Sequence, residues 1–139
     1  MRARRRTVAW LELTALPAAV DDPLFSALGS PVAALHWNED VFALPAGAAE
    51  LLTGAPAGVA AFRGGERAWG IQFHPEVDRP ALEGWYAGYG SWLAQAGVSE
   101  AAARAADARH LTGQRETADR LFGAFARVVE ESAAGAAVI

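Results

Sequence analysis

Cysteine is absent from all 139 residues. That excludes a disulfide framework and every zinc site built on thiolates, and it suits a reducing, cytoplasmic location. No apolar run approaches the ~20 residues that a membrane-spanning helix requires. Neither an internal repeat nor an interdomain linker is visible, so residues 1–139 read as one domain. Charge of one sign is also scarce. A formal net charge of −4 exerts no general pull on nucleic acid or on a membrane surface, and neither is expected as a partner. Apolar material, by contrast, is plentiful: hydrophobic residues make up 53% of the chain, enough to bury a sizeable core.

The first six residues, Met1-Arg2-Ala3-Arg4-Arg5-Arg6, form a basic leader. Glu12 interrupts the apolar segment that follows and Pro17 ends it early, which argues against an export signal. The leader is expected to be solvated. At the other end, the small residues of 133–139 are expected to fray.

Between these ends, patterning predicts five short strands and then helices. Thr7 to Leu13, Val32 to Trp37, Ala49 to Thr53, Val59 to Arg63 and Trp69 to Phe73 have strand character. Gly64 and Gly65 supply the turn between the last two. Asp22 is positioned to cap a short helix containing Leu24, Phe25 and Leu28. From Pro80 to Gln95, Leu82, Trp85, Tyr86, Tyr89, Trp92 and Leu93 recur at helical spacing behind an Asp78 cap, a stripe read as core. An alanine-rich helix follows from Ser99 to about Leu111. Thr112 begins a last helix, with Leu121, Phe122, Phe125, Val128 and Val129 on its buried face.

The chemistry concentrates where the last strand stops, at Gly70-Ile71-Gln72-Phe73-His74-Pro75-Glu76-Val77. In extended backbone, residues two apart leave the same face, so His74 and Glu76 would project together. Pro75 between them stiffens the exit from the strand. An imidazole beside a carboxylate is the base-and-orienter half of a nucleophilic triad. A metal centre made of His36, Asp40, His74 and Glu76 has ligand types suited to zinc or iron, but the spacings match no known cage, and no metal or other cofactor is expected.

This string resembles the C-terminal signature of the class I, triad-type glutamine amidotransferase domain, in which a Cys, a His and a Glu act together. The likeness spans about Val8 to Leu93 and is most similar to the glutaminase domain of GMP synthetase. It implies an α/β fold, part of a three-layer, flavodoxin-like open sheet with helices on its faces. It also implies that His74 and Glu76 are catalytic. His36-Trp37-Asn38-Glu39-Asp40 stands where the family carries a loop beside bound glutamine, so Trp37 and Asn38 are the implied substrate contacts. Asp40 fits that loop, whereas Asn38 replaces a usual His and Glu39 a usual Gly. The family's nucleophile, a Cys in a Gly-x-Cys-x-Gly elbow on an earlier strand-to-helix turn, has no counterpart here. Ser26, Ser30, Ser91, Ser99 and Ser132 offer no substitute elbow. The resemblance therefore implies the later part of a longer domain, inactive alone, that handles glutamine when the missing part is supplied. Its expected partners are a synthetase or a second copy of the chain. The rival expectation is a non-catalytic, partner-binding module of the same fold.

Overall fold

The computed structural model describes residues 6–136. It is an α/β protein whose five strands are β1 (Thr7–Ala15), β2 (Val32–Asn38), β3 (Ala49–Gly54), β4 (Gly58–Gly64) and β5 (Ala68–Ile71). They form one sheet in the order β2-β1-β3-β4-β5, and every neighbouring pair is antiparallel. Three helices follow: α1 (Arg79–Tyr89), α2 (Ser91–Ala96) and α3 (Glu100–Ala136). Among the described residues no helix is long and apolar enough to cross a membrane.

β1 is the pivot of the sheet. Its first seven residues pair with β2, from Thr7 opposite Asn38 to Leu13 opposite Val32. Its last two, Thr14 and Ala15, pair with Thr53 and Leu52 of β3. One strand serving two neighbours in succession curls the sheet. Gly54 permits the crossing, because a Cβ there would lie 2.6 Å from Leu13 Cδ2 and 3.0 Å from the Glu12 carbonyl. Beyond β5 the chain closes the curl. The Gln72 N–H still donates to Ala60 of β4, and two residues later the His74 N–H donates to Leu35 of β2, each at 2.9 Å. The segment 72–74 thus runs from one side of the sheet to the other, with Phe73 buried in the core between them.

The β1–β2 hairpin buries both of its faces. Leu13, Val32 and Ala34 join Phe25, Leu51, Leu52, Ala60, Ala61 and Phe73 in one cluster. Val8, Leu35 and Trp37 join Val77, Leu82, Tyr86 and Leu93 in a second. α3 serves both, since Ala103 packs in the second cluster and Leu121 and Ala124 in the first. At ~1.5 Å per residue its 37 residues extend about 55 Å, long enough to reach across.

Several sequence expectations need correction. The break expected between Leu111 and Thr112 does not occur: α3 is continuous. Its middle is tied down by buried Gln114, whose side chain donates to the Val77 carbonyl at 2.6 Å. The apolar face of its second half is also misassigned in part. Leu121 is buried and Val128 half-buried, but Phe122, Phe125 and Val129 are exposed, and Ala124 takes the inner position. The helix expected over Pro80–Gln95 is divided at Gly90. Asp78 does cap α1, accepting from the Ala81 N–H at 3.0 Å. Asp22 accepts from the Leu24 and Phe25 N–H groups at 2.9 and 3.0 Å, at the head of only a short 3-10 turn, Phe25–Ala27. Of the supposed frayed tail, residues 133–136 are helical; 137–139 lie outside the described residues. Residues 1–5 of the basic leader also lie outside them. Arg6, its last residue, is held rather than solvated, as the site shows.

Candidate functional site

Strand alternation is not what brings His74 and Glu76 together. β5 ends at Ile71, and Pro75-Glu76 forms a turn. The turn swings the carboxylate back so that Glu76 Oε1 lies 2.9 Å from His74 Nδ1. The other ring nitrogen, Nε2, lies 3.2 Å from the Trp37 carbonyl. Both nitrogens therefore face oxygen acceptors. A neutral ring carries one N–H and satisfies one of them; an imidazolium donates to both. The His74 side chain is 28% exposed and that of Glu76 55%, so the pair sits at the surface with its backbone anchored beneath it. Trp85 of α1 meets the imidazole edge-on, with ring centroids 5.0 Å apart.

Sequence neighbours of Trp37 diverge. Trp37 supplies the carbonyl to His74, and its buried indole packs edge-on against Trp85 and Tyr86. Asn38 is turned elsewhere: its Nδ2 donates to the Asp40 carbonyl at 2.8 Å. Gln72 donates to the same carbonyl, which pins the 38–40 corner to the closing segment. Glu39 accepts from Arg6 Nε at 2.9 Å. The Arg6 guanidinium lies over the Trp92 ring, 4.0 Å from its centroid. The carboxylate at position 39 is thereby neutralised and bolted to α2.

His36 is the contrast. It is fully buried, at 0% exposure. Its Nδ1 lies 3.3 Å from the Ala34 carbonyl, and Nε2 has no partner among the described residues. Burial pushes its pKa below the usual imidazole value; the nearby Ala34 carbonyl opposes this, and His74 adds a smaller push in the same direction. His36 is thus kept neutral, donating through Nδ1. Among the described residues, no group of three or more His, Asp and Glu side chains is arranged to hold a metal.

Of the four site residues read from sequence, the structure brings three into contact: His74, Glu76 and Trp37. Asn38 faces the Asp40 carbonyl. Sequence reasoning missed Trp85, which it filed with the core stripe, and Arg6, which it filed with the leader. The signal for Trp85 was its spacing, on one helical face with Tyr89 and Trp92. Nothing local pointed to Arg6, whose ion-pair partner is 33 residues away.

No protein-family model matches the sequence, and no curated protein matches it. Solved structures do match in fold. A glutamine amidotransferase from Thermotoga maritima superposes with a TM-score of 0.64 at 20% identity, over 85% of this chain and 51% of that one. A glutamine amidotransferase from Methylobacillus flagellatus gives 0.71 at 17% identity, over 91% and 54%. The chain spans about half the length of these structures. Its fold is glutamine amidotransferase-like, and the His74–Glu76 pair is built on that fold.

Proposed function

We propose that this chain carries the His–Glu part of a class I glutamine amidotransferase site, similar to the glutaminase domain of GMP synthetase. The observation that carries the reading is the 2.9 Å contact between His74 Nδ1 and Glu76 Oε1 within the Gly70–Val77 string. In this reading His74 is the acid–base group. It holds a thiolate as an ion pair, then gives its proton to the departing ammonia; water cleaves the resulting glutamyl thioester. Glu76 fixes the ring's tautomer and supports its charge. The thiol and its oxyanion-binding turn come from outside these 139 residues, which hold no cysteine. The five antiparallel strands would extend a parallel, three-layer, flavodoxin-like sheet. Glutamine would lie near Trp37 and Asn38, and a synthetase domain or subunit in the cytoplasm would receive the ammonia. A second reading, a partner-binding module without turnover, is favoured by that missing thiol and by Asn38 and Glu39 at positions where the family carries His and Gly.

The test is reconstitution. Alone, the chain should release ammonia from glutamine at background rate. Supplied with a half-domain bearing a Gly-x-Cys-x-Gly elbow, in trans or by fusion, it should gain thiol-dependent turnover that His74→Ala abolishes. Turnover indifferent to His74→Ala would remove the assignment, and a folded but silent reconstituted domain would favour the module.

A further inference from the structure

The outer side of α3 carries apolar surface that the fold leaves uncovered. Eight large hydrophobic residues are exposed among the described residues, and three of them, Phe122, Phe125 and Val129, fall on this one helix at 48, 47 and 51%. The other five are spread over the rest of the chain. With half-buried Ala118 ahead of them, the three positions follow at intervals of 4, 3 and 4 residues, the spacing at which one helix meets another. At 3.6 residues per turn these four side chains fit within an arc of about 60°. That arc lies about a quarter turn from Leu121, Ala124 and Val128, which face the core. A partner would therefore lie beside α3 without competing with the sheet beneath it.

Toward its N-terminal end the same face runs into a cleft of about 480 Å³ between α3 and residues 75–79. Its charged walls are Arg79 and Arg115 on one side of the balance and Glu76, Asp78 and Asp119 on the other. Two of these acids are engaged, Glu76 with His74 and Asp78 with the Ala81 N–H. Arg115 makes no ion pair among the described residues, and neither does Glu130 at the far end of the stripe. The strip is thus basic at one end, acidic at the other and apolar between, so it complements itself when reversed. Such self-complementarity is what a two-fold interface requires. With a two-fold axis beside Phe122, the second copy's Glu130 comes level with Arg115, and its Phe122 and Phe125 interleave with the same pair here.

We propose that α3 pairs antiparallel with α3 of a second copy of this chain through the Ala118–Val129 face. Area sets the strength of the pairing. The shared length, residues 111–134, is about 35 Å at ~1.5 Å per residue, and a helix is about 10 Å wide. That strip offers about 350 Å² per copy. The cleft adds to it, but the sum stays below the ~800 Å² per partner of a standard stable complex. The dimer is accordingly a weak one, with Kd in the micromolar range. Neither glutamine nor a thiol enters this argument, so it stands apart from the functional reading.

The experiment is sedimentation velocity on the 139-residue chain from about 1 to about 300 µM, a span that brackets micromolar dissociation. A reversible monomer–dimer equilibrium is expected. Phe122→Glu and Phe125→Glu should each abolish it, with circular dichroism and the melting midpoint showing that these exposed positions leave the fold intact. Arg115→Glu alone and Glu130→Arg alone should each weaken it about tenfold, because every dimer holds the contact twice. The two together should restore it, which an altered fold or a different surface would not do. A chain that stays monomeric throughout would overturn the proposal, as would open-ended association, a dimer indifferent to both phenylalanine variants, or a charge-swapped double variant that fails to recover. Capture of the monomer by an elbow-bearing half-domain through the same two phenylalanines, with no dimer at any concentration, would assign the face to that half-domain instead.

Discussion

His36 and His74 are near neighbours across one strand pairing, because the His74 N–H donates to the carbonyl of Leu35, the residue before His36. Yet the two imidazoles live differently. His36 is sealed in with one ring nitrogen unpartnered among the described residues and is held neutral by burial. His74 stands at the surface with a carboxylate on one nitrogen and a carbonyl on the other. A shared residue type and a shared location do not decide the role. Access to solvent and the acceptors within reach do, and both are set by where β5 stops and turns.

The sharpest way to break this contrast is to substitute both histidines in a reconstituted enzyme. His74→Ala should lower turnover about 10⁴-fold and Glu76→Gln about 10²-fold. His36→Asn, which keeps a donor for the Ala34 carbonyl, should stay within a few-fold of the parent. Equal losses at positions 36 and 74 would mean that both rings belong to one catalytic unit.

Buried polar groups that do have partners should behave unlike His36. Asp107 is buried and accepts from Trp10 Nε1 at 2.9 Å and from the Tyr86 hydroxyl at 2.5 Å. Burial and that carboxylate keep the Tyr86 phenol protonated, well above its usual range. Asp107→Ala strands both donors and should cost about 3 kcal/mol in urea unfolding, with the slope unchanged. A cost under ~1 kcal/mol would show that solvent reaches the pair.

Smaller again is the effect of disturbing the closure that places His74. Gly70 pairs with Phe62 across β4–β5, and the Phe62 ring lies where a Cβ on residue 70 would go. Gly70→Ala should cost about 2 kcal/mol by forcing the ring aside and should loosen the His74–Glu76 contact four residues on. Lost stability with an undisturbed pair would place the control of His74 elsewhere.

The smallest expected effect is a pH slope. The folded His36 pKa is lowered, so the unfolded chain takes up this proton first as pH falls. Its contribution is fully present above the ordinary imidazole value of 6.5 and is lost progressively below it, down to the folded pKa. Thermal melts should show a falling midpoint below pH 6.5, and His36→Asn should remove that component. An unchanged slope would assign it to groups other than His36.

All five strands were legible because glycines and prolines punctuate short apolar runs, and turns of that kind act locally. The His74–Glu76 pairing was legible as well, but for the wrong geometric reason: a turn supplies what strand alternation was expected to supply. What stayed hidden depends on distant partners. Periodicity marks the apolar faces of a helix without saying which one meets a sheet, so Phe122, Phe125 and Val129 were taken inward when Leu121 and Ala124 hold that place. Leu111-Thr112 looked like a boundary, yet Gln114 grips the Val77 carbonyl and the helix continues. Arg6 looked like leader until Glu39 and Trp92 were found on it.

Nitrogen-15 NMR of the histidine side chains in the intact chain tests the contrast most directly. His74 should show a strongly hydrogen-bonded Nδ1–H that Glu76→Gln perturbs, while His36 should show a neutral ring protonated at Nδ1 and indifferent to that substitution. A His74 ring exchanging freely between tautomers, unaffected by Glu76→Gln, would contradict the pairing on which the functional reading stands.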